Sequence, residues 1–388
     1  MKLQSGRAIF CCVAVAAAYA LGAGPACAQV GSNQKPQMAE DVFKNVQVLK
    51  GISVDEFMTT MGFFAASLSL NCTDCHISES SGDWARYADD TALKRMSRRM
   101  ILMVSTLNKG NFGGQRAVTC YTCHRGTTRP KVIPNLAEQY GVPPPNDPNE
   151  IEILAQAPAT PSADQILDRY IQALGGRERL TALTSFAAQG TYEGFDTELE
   201  KVPVEVVAKA PGQRTTIVHT LRGDSTRTFD GRAGWIVAPD KPVPLLTLTG
   251  KDLDGLKLDA ELSFPAGIRQ ALGQWRTGFP KAAIGGHEVQ IIQGAGAGGS
   301  RVKLFFDKES GLLVRVVRYT ETAVGVVPTQ TDYSDYREVA GVKMPFHWTV
   351  TWTDGQATTE LSAVQPNVQI DPAKFAKPAA AAPKPATR

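Results

Sequence analysis

Residues 72–76 read Cys-Thr-Asp-Cys-His, and residues 120–124 read Cys-Tyr-Thr-Cys-His. Both stretches contain two cysteines that are separated by two residues, and in both a histidine directly follows the second cysteine. The same five-residue pattern therefore occurs twice in the first third of the chain. This repetition indicates that the N-terminal half is built from two similar units.

The pattern C-x-x-C-H is typical of a covalent haem attachment site. Its thiols add to the vinyl groups of one porphyrin, and its histidine becomes the proximal ligand of the iron. A redox-active dithiol would need a βαβ setting, and a four-cysteine zinc site would leave both histidines unexplained. The sequence therefore predicts two covalently bound haem c groups. The attachment residues are Cys72, Cys75 and His76 for the first haem and Cys120, Cys123 and His124 for the second.

A helical pattern precedes each attachment site. Ser53 and Glu56 have the spacing of a capping box, and apolar residues then recur at helical spacing up to Leu68. A second helix is predicted from about Asp90 to residues 108–110, and a shorter one over residues 42–49 before both. Each unit therefore consists of a helix, a turn and an attachment site.

The sixth ligand of each iron is predicted to be a methionine. The chain has five histidines, and those outside the two attachment sites lie in the C-terminal half. A thioether ligand raises the reduction potential relative to a second imidazole. Met61 and Met100 lie on the apolar faces of the two helices, where a methionine can equally be core packing. Met58 and Met96 are the rival ligands.

The residues around these sites resemble the cytochrome c subunit of photosynthetic reaction centres. The resemblance covers about residues 40–130 and is strongest in residues 98–100 and 118–126, while residues 56–61 also fit. In that family the methionine of the preceding helix is the sixth ligand of each haem. The resemblance therefore implies that Met61 serves the first haem and Met100 the second.

The chain also departs from that family. Its full-length members carry four attachment sites, whereas this chain has two. They also place a distal histidine in the loop after the second helix, and residues 111–116 contain none. That histidine serves a haem which this chain lacks. The resemblance therefore implies an electron carrier without establishing a photosynthetic role.

The N-terminal segment predicts export. Lys2 and Arg7 precede an apolar run over residues 8–21, and Ala26-Cys27-Ala28 provides a cleavage motif, so residues 1–28 read as a secretory signal peptide. A retained membrane anchor is the alternative. Of the seven cysteines, those outside this segment all belong to the two pairs, so no disulfide is expected. The predicted location is the periplasm.

The sequence predicts an α+β protein of two domains. An all-α dihaem domain over residues 36–129 is followed by a proline-rich linker over 130–161, an antiparallel β half-barrel with a packed helix over 162–376, and a disordered tail over 377–388. Ser162 is predicted to cap the packed helix, which ends at Gly175. The predicted strands are residues 202–208, 214–219, 289–292, 302–306, 312–319, 330–336 and 346–352.

The motifs at residues 229–231, 234–235 and 305–307 give the second domain a resemblance to the outer-membrane lipoprotein-carrier half-barrel. That resemblance implies a concave face that could bind an apolar ligand or a partner. His219, His287 and His347 lie in the same domain, but their spacing fits no metal site. A scaffold or interaction domain without chemistry is the alternative reading.

Three function classes compete. The net charge of +3, without any Lys/Arg-rich run, does not favour nucleic-acid binding. The leading prediction is an electron carrier that has no catalytic residue and serves redox partner proteins, including a membrane-bound electron-transfer complex. A dihaem peroxidase would need a haem with an open distal position and acid/base groups, and the helical domain has no spare histidine. A protein that binds an apolar ligand in its β-rich domain is the third class.

Overall fold

The computed structural model of the chain describes residues 35–81, 83–142, 147–150, 160–277 and 282–378. The predicted signal peptide, residues 1–28, lies outside these ranges. Most of the predicted tail and part of the predicted linker also lie outside them. The described residues up to 150 are called the helical half below, and residues 160–378 are called the β-rich half.

Every regular element described in the helical half is a helix, apart from one isolated bridge between Met38 and Ser53. The α-helices are α1 (Ala39–Val42), α2 (Val54–Leu68), α3 (Cys72–Cys75), α4 (Ala92–Asn111), α5 (Cys120–His124) and α6 (Leu136–Gln139). Short 3-10 helices lie at Ser78–Ser81, Trp84–Ala88 and Pro148–Glu150.

Local sequence signals explain where the two long helices begin. The Ser53 side chain accepts a hydrogen bond from the backbone N–H of Glu56, and Thr91 caps α4 in the same way. The prediction of a helix over residues 42–49 is wrong, because α1 ends at Val42. Asn45 adopts a left-handed conformation with φ 62°, and its side-chain amide donates to the carbonyl of Ala88, so the chain turns there instead.

The β-rich half is an open antiparallel sheet with helices. Its helices are α7 (Ala163–Ala173), α8 (Arg177–Ala182), α9 (Gly250–Ser263) and α10 (Ile268–Ala271). Its strands are β1 (Ser185–Gly194), β2 (Val202–Lys209), β3 (Gln213–Thr220), β4 (Gly223–Phe229), β5 (Gly234–Val237), β6 (Leu245–Leu248), β7 (Gly273–Thr277), β8 (Ala282–Ile284), β9 (His287–Ala295), β10 (Arg301–Asp307), β11 (Leu313–Glu321), β12 (Val326–Val339), β13 (Val342–Trp352) and β14 (Gly355–Pro366).

The strand order is β6-β5-β4-β3-β2-β1-β14-β13-β12-β11-β10-β9-β7, and β8 pairs with β9. Each strand therefore lies beside its neighbour in sequence along most of the sheet, while β1 and β14 pair in its middle with Phe186 opposite Pro366. The predicted antiparallel arrangement is confirmed, and each predicted strand falls on or overlaps an observed one.

The predicted packed helix is confirmed as α7. Its apolar side chains are buried against the sheet, and the Tyr170 ring lies 5.1 Å from the Phe306 ring. The buried α7 residues and the C-cap are Ile166, Leu167, Tyr170, Ile171 and Leu174. The Ser162 side chain caps the helix, as predicted, by accepting from the N–H of Gln165. This face and the sheet form the largest apolar core of the described residues.

The two halves contact each other and group into one compact unit. Phe63 of α2 is buried in a small apolar cluster with Val324 and Val327 of the β-rich half. A Cβ on Gly62 would lie only 2.9 Å from the Asp354 carboxylate, so glycine allows α2 to approach the turn between β13 and β14 closely. The helix that precedes the first attachment site is therefore packed directly on the β-rich half.

Among the described residues, no helix is both long enough and apolar enough to cross a membrane.

Candidate haem attachment sites

Each C-x-x-C-H stretch forms its own short helix, which starts at the first cysteine of that stretch. A reciprocal capping box fixes each one: Asn71 and Asp74 exchange side-chain-to-backbone hydrogen bonds at α3, and Thr119 and Thr122 do so at α5. Residues three apart lie on the same face of a helix. The two cysteines of each pair therefore face the same side, as attachment to one porphyrin requires.

The two histidines are oriented in the same way. The Nδ1 atom of His76 lies 3.0 Å from the carbonyl oxygen of Tyr87, and that of His124 lies 2.9 Å from the carbonyl oxygen of Thr127. A carbonyl oxygen only accepts, so Nδ1 must carry the proton and Nε2 keeps its lone pair. This is the tautomer in which a histidine binds a metal through Nε2.

The pKa shifts of three of the four cysteines and of His76 favour haem attachment over thiol redox chemistry. Burial raises the pKa of Cys72, and the Asp354 carboxylate raises it further. Burial also raises the pKa values of Cys75 and Cys120. Reactive redox cysteines have lowered pKa values, so these residues are poor redox dithiols. Burial, followed by the Lys94 charge, lowers the pKa of His76 and so favours the neutral imidazole that a metal needs.

Helix α4 is hydrogen-bonded to both attachment sites, one at each of its ends. The hydroxyl of Thr91, its N-cap, donates to the carbonyl of Cys75 at 2.6 Å. At the other end the buried Asn108 side chain donates to the carbonyl of Val118 at 2.8 Å and accepts from the Val118 N–H at 3.0 Å. The first site is thereby tied to the start of α4 and the second to its end. Sequence reasoning missed both contacts, because Thr91 and Asn108 read only as helix-end residues.

The structure places the two predicted sixth ligands differently. Met61 is half-buried and packs in the apolar cluster that also contains Ile101 and Cys120 of the second unit. Met100 is half-buried on α4. The rivals Met58 and Met96 are 45% and 43% exposed. The pairing of Met61 with the first haem and Met100 with the second stays a prediction from the resemblance.

Part of the apolar surface of α4 is exposed. Its side chains Leu93, Met96, Met103 and Leu107, called the α4 stripe below, are between 39% and 46% exposed. A helix of a folded protein normally packs its apolar stripe against a core. The α4 stripe runs between the two fastening points, Thr91 and Asn108. Together with paired thiols and oriented imidazoles, this apolar surface fits two large, flat porphyrins.

The β-rich half has no comparable arrangement among its described residues. A cleft of about 350 Å³ is lined by Asp335, Arg337, His347 and Glu360, among others. A second cleft is lined by the charged residues around His287 and Asp307. The predicted apolar ligand therefore has no support here. Among the described residues, no group of three or more His, Cys, Asp or Glu side chains is placed to hold a metal ion, so the four thiols do not form one cluster.

Comparison with known families agrees with the resemblance predicted for the helical half. A family model described as the photosynthetic reaction centre cytochrome C subunit matches residues 15–156. The photosynthetic reaction center cytochrome c subunit of Thermochromatium tepidum is 42% identical over 97 residues, which are 24% of this chain and 23% of that protein. The corresponding subunit of Rubrivivax gelatinosus is 36% identical over 113 residues, 28% of this chain and 29% of that protein. The chain thus spans less than a third of the length of these relatives.

Comparison with solved structures finds matches of low similarity that cover about half of the chain. A LolA superfamily protein from Nitrosomonas europaea matches 56% of this chain and 99% of its own length, with 13% identity and a TM-score of 0.38. An outer membrane lipoprotein-sorting protein domain from Vibrio parahaemolyticus matches 54% of this chain and 94% of its own length, with 9% identity and a TM-score of 0.39.

Proposed function

We propose that this chain is an exported dihaem c-type cytochrome that carries electrons between redox partner proteins in the periplasm. The first haem would be held by Cys72, Cys75 and His76, and the second by Cys120, Cys123 and His124. When bound, each haem supplies a one-electron iron couple. The observation that carries this proposal is the duplicated site geometry: a capped helical turn with both cysteines on one side and a histidine whose Nε2 is free to bind iron.

The chain's own residues would set the properties of each site. The carbonyl oxygens of Tyr87 and Thr127 hold the two imidazoles in one tautomer, and such acceptors also increase the basicity of the ligand. The α4 stripe would exclude water from the porphyrin surface. An apolar surrounding of this kind influences the reduction potential. The protein would thus act by orienting ligands and excluding solvent, and it needs no acid/base residue.

Met61 and Met100 are proposed as the sixth ligands. Both are half-buried on the helices that precede the attachment sites, whereas their rivals are more exposed. The similarity of the helical half to reaction-centre cytochrome c subunits supports the same pair. Two irons that are each bound by a histidine and a methionine would have no open position for a substrate, which favours a carrier over a peroxidase.

The relatives are named as subunits of a photosynthetic reaction center, which supports a membrane-bound electron-transfer complex as one redox partner. Because the match covers less than a third of those proteins, the identity of the donor and the acceptor is itself part of the proposal.

The haem count provides the first test. Two variants, Cys72→Ser with Cys75→Ser and Cys120→Ser with Cys123→Ser, serve as controls for each other. Each should lower the intact mass of the purified protein by one haem, because each removes both thioether bonds of one site. An unchanged mass in either variant would show that its cysteines do not attach haem.

The ligand assignment is tested by the visible spectrum of the reduced protein before and after addition of carbon monoxide. The wild-type spectrum should not change. Met61→Ala and Met100→Ala should each allow carbon monoxide to bind one haem, because each removes a proposed sixth ligand. Met58→Ala and Met96→Ala are the matched controls and should leave the haems closed. If the controls open a haem and the first pair does not, the rivals are the ligands.

A further inference from the structure

One backbone carbonyl of the first site is shared by two donors. The carbonyl oxygen of Tyr87 accepts from Nδ1 of His76 at 3.0 Å and from Nζ of Lys94 at 2.8 Å. The same ammonium also donates to the carbonyl oxygen of Asp89 at 2.7 Å. The charge of Lys94 is therefore separated by one hydrogen-bond acceptor from the imidazole that is proposed to bind the first iron.

Both the shared carbonyl and the ammonium are held in place. The centroid of the Tyr87 ring lies 4.7 Å from that of the His76 ring and 4.8 Å from that of the Trp84 ring, on which it stacks. Lys94 lies in the first turn of α4, and its backbone N–H donates to the side chain of Thr91. The Thr91 hydroxyl in turn donates to the first attachment site. The distance between the charge and the imidazole is thus set by two independent links.

The charge of Lys94 is not cancelled by a neighbouring carboxylate. Both of its acceptors are neutral carbonyls. The Asp89 carboxylate pairs with Arg86 at 3.2 Å, and the Asp90 carboxylate pairs with Arg98 at 2.7 Å. Burial and then the Arg98 charge lower the pKa of Lys94, whereas the two carboxylates raise it. An ordinary lysine titrates far above neutral pH, so Lys94 keeps its charge there.

We infer that Lys94 raises the reduction potential of the first haem and leaves that of the second unchanged. The inference rests on the proposed function, in which His76 binds the first iron. Oxidation adds one positive charge at the iron, so a fixed positive charge beside its ligand favours the reduced form. Lys94 is half-buried, so its charge is screened less than that of a fully exposed lysine. The electron comes from a redox partner protein and returns to one, and Lys94 neither gains nor loses a proton.

Sharing the acceptor acts in the same direction. A carbonyl that accepts from a histidine ligand increases the basicity of that ligand, which stabilises the oxidised iron. The Tyr87 carbonyl does this less effectively, because the Lys94 ammonium draws on the same oxygen. Lys94 is thus a positioning residue that acts through the carbonyl and the imidazole.

The second site provides the contrast. Nδ1 of His124 lies 2.9 Å from the carbonyl oxygen of Thr127, and among the described residues no lysine or arginine donates to that oxygen. The Thr127 hydroxyl instead donates to the carbonyl of His124 at 2.7 Å. An electron that is shared by the two haems is therefore held more strongly by the first haem than it would be without Lys94.

The two midpoint potentials of the full-length, haem-loaded protein should be measured by redox titration of the visible spectrum. Lys94→Gln keeps a hydrogen-bond donor but removes the charge, so it should lower one of the two potentials and leave the other unchanged. Lys94→Met also removes the charge and should give the same result. Lys94→Arg keeps the charge and should stay close to the wild type. Lys308→Gln removes an exposed positive charge that pairs with Glu288 in the β-rich half, and it should move neither potential.

Proteins that keep a single site assign the effect to one haem. With Cys120→Ser and Cys123→Ser, which leave the first haem, Lys94→Gln should lower the one remaining potential. With Cys72→Ser and Cys75→Ser, which leave the second haem, it should change nothing. An unchanged potential of the first haem, an equal shift of both haems, or a fall in Lys94→Arg as large as that in Lys94→Gln would overturn the inference.

The haem content separates this inference from the proposed function. Intact mass gives the number of haems in each variant, and circular dichroism shows that the variant is folded. If the wild type contains no haem, the cytochrome proposal fails and the role of Lys94 fails with it. If two haems are bound and Lys94→Gln moves neither potential, the cytochrome proposal stands and the role of Lys94 is wrong.

Discussion

The β-rich half and the helical half differ in how far their apolar side chains are buried. In the β-rich half, Leu167 of α7 and Leu304 of β10 are fully buried. In the helical half, the α4 stripe has the same helical periodicity but remains between 39% and 46% exposed. The first pattern is satisfied by the chain itself. The second requires another apolar surface, and two covalently bound porphyrins would provide it.

The largest expected effect comes from preventing the attachment of both proposed haems. A variant in which Cys72, Cys75, Cys120 and Cys123 are all serine should lose amide-exchange protection throughout the helical half, because a site that supplies the core also supplies stability. The β-rich half should keep its protection, since its core consists of its own side chains. Hydrogen exchange followed by mass spectrometry would measure both halves in one sample. Equal amide-exchange protection of the helical half with and without haem would show that haem does not supply its core, and it would contradict the proposed difference between the two halves.

The next effect in size tests the core of the β-rich half. Leu167→Ala should lower the free energy of unfolding by about 2–5 kcal/mol, because it leaves a cavity at a fully buried site. Leu102→Ala on α4 is the matched control, since this leucine is 56% exposed and its loss should change stability by about 0.5 kcal/mol or less. Urea unfolding followed by circular dichroism compares the two. Similar losses would mean that α4 is buried in solution.

Much of the β-rich half could be predicted from its sequence, because several of its strands alternate apolar and polar side chains, although the two strands in the middle of the sheet, β1 and β14, were missed. The strands that were missed have weaker signals. β5 and β6 have four residues each, and β14 is rich in threonine and alanine. Helix α9 was also missed, since it begins at Gly250 and contains Gly255. That glycine is needed for the close approach of Arg318, a tertiary requirement that no local pattern reveals.

The residues of the candidate sites also divide into those that the sequence predicts and those that it does not. The cysteines and histidines follow from the C-x-x-C-H pattern, since attachment chemistry requires those residues at that spacing. The acceptors that orient the histidines are backbone carbonyls of Tyr87 and Thr127, so they have no sequence signature.

A smaller effect is expected from removing the hydrogen bonds between Asn108, at the end of α4, and Val118. Asn108→Ala removes two hydrogen bonds to Val118 and leaves a half-buried carbonyl and N–H without these partners, so it should cost about 1–3 kcal/mol. Exchange of the Val118 amide and the thermal midpoint would measure it. Asn111→Ala is the control, because Asn111 makes one exposed bond to its own helix. If the two variants behave alike, Asn108 does not hold the second site in place.

The smallest effect concerns an exposed ion pair at the start of α4. Asp90 accepts hydrogen bonds from Arg98 at 2.7 Å and from Asn45 at 3.0 Å, and the Arg98 bond lowers the pKa of Asp90. The folded state therefore binds fewer protons than the unfolded state. The resulting stabilisation is present above the unfolded pKa of about 3.9 and is lost as the pH falls through the lower folded pKa.

Asp90→Asn should therefore flatten the dependence of unfolding free energy on pH in the acid range and change stability little at neutral pH, since exposed pairs contribute little. Urea unfolding at several pH values measures this, with Asp41→Asn as the control for the loss of one exposed carboxyl. A neutral-pH loss as large as that of Leu167→Ala would mean that polar fastenings hold the helical half together. The exposed α4 stripe would then no longer argue for a core supplied by haem.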